Sequence, residues 1–112
     1  MKLVVAIIQP QQLPAVKRAL FESGVRHLTC TNVLGTAPEG AEVLRFRGVP
    51  HEVTLRQKVR IEIALKDEIV DRATEAIARA GRETGGFGWI FVSELYDVMH
   101  VRTGERGRQA LH

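Results

Sequence analysis

The sequence predicts an α+β fold, a sandwich in which two helices cover one sheet in the order β-α-β-β-α-β. Three observations predict it. Residues 3–8 form an apolar, β-branched run closed by Pro10, residues 58–65 alternate cleanly, and a segment of helical spacing follows each run.

Each element has its own signal. The first run has the composition of a buried strand. Over residues 12–23, Leu13, Val16, Leu20 and Phe21 share one helical face, with Lys17, Arg18 and Glu22 opposite. Pro14 suits the first turn, where a missing N–H costs nothing, and Gly24 suits the cap. A second strand is expected over residues 27–34, stopped by Gly35. In the third, Val59, Ile61, Ile63 and Leu65 point one way and Arg60, Glu62 and Ala64 the other. Asp67 is expected to cap a second helix carrying Ile69, Val70, Ala73, Ile77 and Ala80, which Gly81 ends. A Gly-rich turn, Thr84-Gly85-Gly86-Phe87-Gly88, then leads into strand over residues 89–92 and again over 96–102.

This order is the ferredoxin-like split arrangement, in which two helices leave one face of the sheet open. The first strand is apolar on both faces. A homo-oligomer is therefore expected to form through the open face.

A single domain spans residues 1–112, with a loop over about 36–57 and a flexible polar tail over about 103–112. The composition, 45% hydrophobic and 26% charged, argues against disorder. No apolar run approaches the roughly 20 residues of a membrane span, and no secretory signal is read at the start. Cys30 is the single cysteine, which fits a reducing cytoplasm. Arginine supplies 12 of the 16 basic residues behind a net charge of +3, and its guanidinium fork suits phosphate oxygens. The loop mixes breakers (Pro38, Gly40, Gly48, Pro50) with Val43, Leu44 and Phe46 beside arginines. Loops longer than about 12–15 residues are usually functional or disordered, and this one has the composition of a partner-binding surface.

Over essentially its full length the chain resembles the PII family of nitrogen and carbon signalling proteins. The resemblance is carried by Met1-Lys2-Leu3-Val4, Ile7-Ile8-Gln9-Pro10, Leu28-Thr29, Val33, Gly35, Arg47-Gly48 and Lys58-Val59. It continues through Thr84-Gly85, Ile90-Phe91-Val92, Glu94-Leu95 and Val101-Arg102-Thr103-Gly104-Glu105. It implies a homotrimer with three projecting loops. Family members bind adenine nucleotides (ATP, ADP or AMP) in clefts between subunits, and many add 2-oxoglutarate with Mg2+. Loop conformation then selects a transporter, enzyme or regulator as partner. No nucleic acid and no membrane insertion are implied.

By position, the resemblance puts Gly35 and Thr36 beside the nucleotide and Thr29, Glu62 and Ala64 on its adenine side. Gly85, Gly86 and Gly88 let backbone N–H groups approach phosphate, and Arg102 reaches it from the last strand. Lys58 corresponds to the lysine that pairs with the 2-oxoglutarate carboxylate. Arg45, Phe46, Arg47 and His51 belong to the partner-binding loop.

The departures matter as much. Trp89 stands where the family has a phosphate-binding lysine, and His100 where a second phosphate arginine is usual. Glu39 replaces a magnesium-holding glutamine, an exchange that keeps an oxygen ligand. His51 replaces the tyrosine that some members uridylylate. Two lost charged hydrogen bonds, at about 1.5–3 kcal/mol each, predict altered nucleotide binding that favours ADP or AMP over ATP.

Three other readings are weaker. Gly86-Phe87-Gly88-Trp89-Ile90-Phe91-Val92 resembles an aromatic RNA-recognition strand, but it follows the second helix and the first strand lacks aromatic partners. A CutA-like trimer, or a PII-like one that senses a metal ion or another small anion, remains the alternative. His27, His51 and His100 are too dispersed for a local ligand motif. For an enzyme no nucleophile–base pair is legible, and Cys30 reads as core.

Overall fold

β1 (Lys2–Ile8) lies inside an antiparallel four-stranded sheet of order β2-β3-β1-β4, where β2 is Thr29–Gly35, β3 is Arg56–Leu65 and β4 is Trp89–Glu94. The computed structural model describes residues 1–36 and 54–111. The expected order is found, with α1 (Leu13–Glu22) and α2 (Asp67–Glu83) in the helical positions. Short 3-10 turns at Pro10–Gln12 and Gly107–Ala110 complete it.

Period-2 patterning sorts the sheet into two faces. Val4, Ala6 and Ile8 of β1 join Val59, Ile61, Ile63 and Leu65 of β3 on the buried side. Against them pack Val16 and Leu20 of α1 and Val70, Ala73, Ile77 and Ala80 of α2. Each large aliphatic side chain buried there contributes about 1.5–3 kcal/mol, so Ile61→Ala would cost about 2–5 kcal/mol.

On the other face, Leu3, Val5 and Ile7 are half-buried. Register places Phe91 beside Val5 and Trp89 beside Ile7, and both aromatics are half-exposed. On their far side, Arg60 Nε lies 3.0 Å from Glu62 Oε1. An apolar stripe crossed by one ion pair thus faces outward.

α1 ends in a Schellman cap. Val25 N–H donates to Leu20 O, Gly24 N–H donates to Phe21 O, and Gly24 takes φ +93°. Several boundaries move. Lys66, in extended conformation, is the N-cap of α2, and Asp67 is its first helical residue, where the carboxylate receives the Met1 ammonium at 2.8 Å. Gly81 does not end α2. It is buried inside the helix, which runs two residues further, because Gln12 and the Gly-rich turn satisfy its carbonyl. β2 starts at Thr29 rather than 27, β4 reaches Glu94, and β3 begins at Arg56, so Arg56 and Gln57 are strand rather than loop.

Two expectations are overturned. Residues 96–102 are not a strand. Among the described residues their only ladder contact is an isolated bridge between Met99 and Arg106, and Tyr96 and Val101 are fully exposed. The free edge of β4 is open to another strand, but the segment turns back on residues 104–107 instead, with His100 N–H donating to Glu105 O and Gly107 N–H to Val98 O. Cys30 is exposed, not core. It pairs with Ile61 and so faces the helix side, but it sits on edge strand β2, beyond the helices' cover.

Candidate functional site

The Gly-rich turn is built by a glutamine. Gln12 is fully buried at the register Gln12, Val16, Leu20 on the inner face of the first helical segment. Its side-chain N–H groups donate to Gly81 O at 3.1 Å and Phe87 O at 3.0 Å, while its Oε1 accepts from Gln9 N–H at 2.8 Å. Gly86 N–H donates to Gly81 O at 2.8 Å, closing the end of α2. Gly88 takes φ +142°, and a Cβ there would stand 2.9 Å from Ile7 O. Glycine is required at this place by close backbone approach.

This turn delivers Phe87 onto the open face of the sheet. The Lys58 ammonium, on a side chain only 2% exposed, lies 4.1 Å from the Phe87 ring centroid. Trp89 meets Phe87 edge to face, 5.3 Å between centroids. Both aromatics, with Gly86, Gly88 and Arg82, line a cavity of about 260 Å³ at the β4 edge. Gly35 is close by, since a Cβ there would touch the Lys58 side chain at 3.4 Å.

A second, larger concavity of about 570 Å³ opens at the other side. Thr29, Glu62, Ala64 and His100 all line it, with Leu28, Ile69 and other apolar groups behind. Thr29 and Glu62 are register partners across β2 and β3. Apolar walls with a few convergent polar groups suit a small organic ligand. Its remaining wall is the C-terminal segment, through Ala110 and Leu111.

Ion pairs hold that segment. Arg108 forks onto Glu68 with contacts of 2.5 and 2.9 Å, and Arg106 Nη1 reaches Asp97 Oδ2 at 2.6 Å. These hydrogen bonds hold the Glu68 and Asp97 carboxyls below the usual carboxylate range. The Met1 ammonium does the same to Asp67, and pairing with Glu94 raises the Lys2 ammonium.

The expected ligand residues therefore divide. Thr29, Glu62 and Ala64 surround one concavity, whereas Gly86 and Gly88 line the other, and Gly85 faces Gln9. Thr29 lies on one edge strand and the Gly-rich turn leads into the opposite one. Two strands separate them, three spacings or about 14 Å. Arg102, expected on a strand, lies exposed in the turn after His100, lines neither cavity, and donates its backbone N–H to His100 Nδ1 at 3.2 Å. Thr36 is exposed beside Gly35. Glu39, Arg45, Phe46, Arg47 and His51 lie outside the described residues. Among the described residues, no group of three or more His, Cys, Asp or Glu side chains is placed to hold a metal ion.

Four residues of these sites escape a reading of the sequence: Gln12, Phe87, Arg108 and Ala110. Only Gln12 left a signal, as a polar residue on an apolar helical stripe.

Comparison with known proteins gives this geometry its context. The family model for "Nitrogen regulatory protein P-II" matches residues 1–105. The chain belongs to the P-II family. It is 43% identical over 112 residues to the nitrogen regulatory protein P-II of Rhodobacter capsulatus, covering 99% of this chain and 100% of that relative. The P-II proteins of Rhizobium etli and Azospirillum brasilense are 42% and 40% identical over 113 residues, with the same coverage. Membership makes this P-II chain a signal-transduction regulator of nitrogen metabolism, and it fits a regulatory rather than a catalytic role. Among its described residues, no helix is long and apolar enough to cross a membrane.

Proposed function

We propose that this P-II chain works as a cytoplasmic homotrimer that binds an adenine nucleotide between subunits. Through the connection between β2 and β3 it would then control a transporter, enzyme or regulator. One observation carries the reading: the two halves of the ligand set lie on opposite edges of one sheet. Neither half holds the whole expected set. A head-to-tail ring that sets the β4 edge of one protomer against the β2 edge of the next brings them together. The same ring covers Leu3, Val5, Ile7, Phe91 and Trp89, a stripe that costs free energy while it faces water.

Within such a cleft, Thr29, Glu62 and Ala64 take the base end and the Gly-rich turn takes the phosphates. Trp89 and His100 supply fewer fixed positive charges than a lysine and an arginine would. The pocket accordingly favours ADP or AMP over ATP. Lys58 is the effector-side cation, and the Phe87 ring already covers it.

Calorimetric titration with ATP, ADP and AMP, with and without Mg2+ and 2-oxoglutarate, tests the ligand. Preference for ADP or AMP is expected. Micromolar Mg-ATP binding enhanced by 2-oxoglutarate would overturn the altered-pocket reading, and no binding of any nucleotide at millimolar concentration would overturn the nucleotide reading. Light scattering tests assembly; a monomer at micromolar concentration would sink the ring.

A further inference from the structure

We infer that Phe87 sets the affinity of this protein for a carboxylate effector, because its ring occupies the approach that a carboxylate needs to the Lys58 ammonium. The inference rests on the effector-side reading of Lys58 above and concerns what regulates that same site.

The ammonium is shut in. Lys58 is only 2% exposed, and its Nζ lies 4.1 Å from the Phe87 ring centroid. A carboxylate oxygen that accepts from an ammonium comes to about 2.7–2.9 Å, and solvent does not reach that position while the ring stays in place. The lysine stem is packed against β2, where a Cβ on Gly35 would stand 3.4 Å from Lys58 Cγ. Access to the cation therefore falls to the ring.

The ring has a fixed pivot and somewhere to go. Gln12 Nε2 donates to Phe87 O at 3.0 Å, and Gly88 brings the chain close against Ile7 O, so the backbone of the turn is anchored on both sides. Movement is left to the side chain, through the staggered wells of χ1. Phe87 is itself only half-buried. It borders the cavity of about 260 Å³ that Trp89 and Arg82 also line, larger than the roughly 150 Å³ that houses a benzene ring in a protein core. A ring swung toward that space leaves Lys58 and keeps apolar neighbours.

Cover and ligand thus compete for one cation. A desolvated cation–π contact favours the covered state by about five- to thirtyfold. Only the uncovered fraction binds, and apparent affinity falls by that fraction. Leucine or alanine at position 87 has no ring face and imposes no such competition.

The test uses the full-length protein and 2-oxoglutarate as probe, at fixed ATP and Mg2+, with affinity from calorimetry. Phe87→Ala is expected to bind about five- to thirtyfold more tightly than the wild type. Phe87→Leu keeps apolar bulk in the turn and is expected to gain at least about twofold, which preserves the comparison if the alanine variant does not fold. A second measurement needs no variant. The Phe87 ring current shifts the Lys58 side-chain protons nearest the ammonium upfield, and 2-oxoglutarate is expected to move those NMR signals downfield as the ring leaves. Folded Phe87 variants that bind no more tightly than the wild type would overturn the inference alone. So would wild-type binding that leaves the Lys58 signals upfield. Lys58→Met is expected to abolish binding. Binding that survives that change, or its absence in the wild type and both Phe87 variants, would instead remove the effector reading of Lys58.

Discussion

The buried ammonium of Lys58 lies 4.1 Å from the centre of the Phe87 ring, on the face of the sheet that the helices leave open. A cation with little access to water gains most from an aromatic face, up to about 2 kcal/mol. Phe87 can take this place because Gln12 holds its carbonyl and Gly88 lets the backbone pass against Ile7. The geometry of the turn thus reaches into the environment of this buried lysine.

A double-mutant cycle checks that contact. Phe87→Leu keeps apolar volume and removes the ring face, and Lys58→Met keeps the stem and removes the charge. Their coupling energy from denaturant unfolding is expected at about 0.5–2 kcal/mol. Additive effects would show that the stacking contributes nothing to stability.

Gln12→Leu removes a fully buried amide and leaves the carbonyls of Gly81 and Phe87 without their side-chain donor. The expected loss is about 2–4 kcal/mol in unfolding free energy. Because the turn leads into β4, the fluorescence of Trp89, the single tryptophan, should shift in the folded variant. An unchanged unfolding midpoint would contradict the role given to Gln12.

The two glycines of the turn should respond differently to alanine. At Gly88 a methyl group meets the Ile7 carbonyl at 2.9 Å, and a loss of about 2–4 kcal/mol is expected. Gly86 also has positive φ, +76°, but open space around it, so only the conformational cost of about 1–2 kcal/mol applies. Thermal melts of both variants would rank them; equal losses would refute the close-approach argument.

Acid should release the C-terminal segment before it unfolds the sheet. Arg108 and Arg106 hold the Glu68 and Asp97 carboxyls below their ordinary range. A carboxyl with its folded-state value depressed contributes in full above the unfolded value, near pH 4, and loses that contribution as pH falls through the folded value. Met1 and Asp67 follow the same sign. Proton NMR between pH 7 and pH 2.5 should show residues 98–111 gaining mobility below about pH 4 while β1 and β3 keep native shifts. Raised salt should act in the same direction, since these pairs are exposed. Loss of the core signals first would contradict this order.

The sequence by itself determined the element order, the buried face of β3 and the glycine cap of α1. Each is a local matter: period-2 alternation in Val59, Ile61, Ile63 and Leu65, and the left-handed conformation that Gly24 takes without strain. Family resemblance was also legible, because it resides in collinear residues such as Lys58-Val59 and Val101-Arg102-Thr103-Gly104-Glu105. Tertiary structure alone decided the rest. Residues 96–102 were expected as strand but turn back on residues 104–107 instead, and Cys30 sits on a strand but at an uncovered edge. Phe87 meets Lys58, and Arg108 meets Glu68, across 29 and 40 residues of chain. Pairing, cover and long-range contact depend on which surfaces the folded chain brings together, and no local period carries that information.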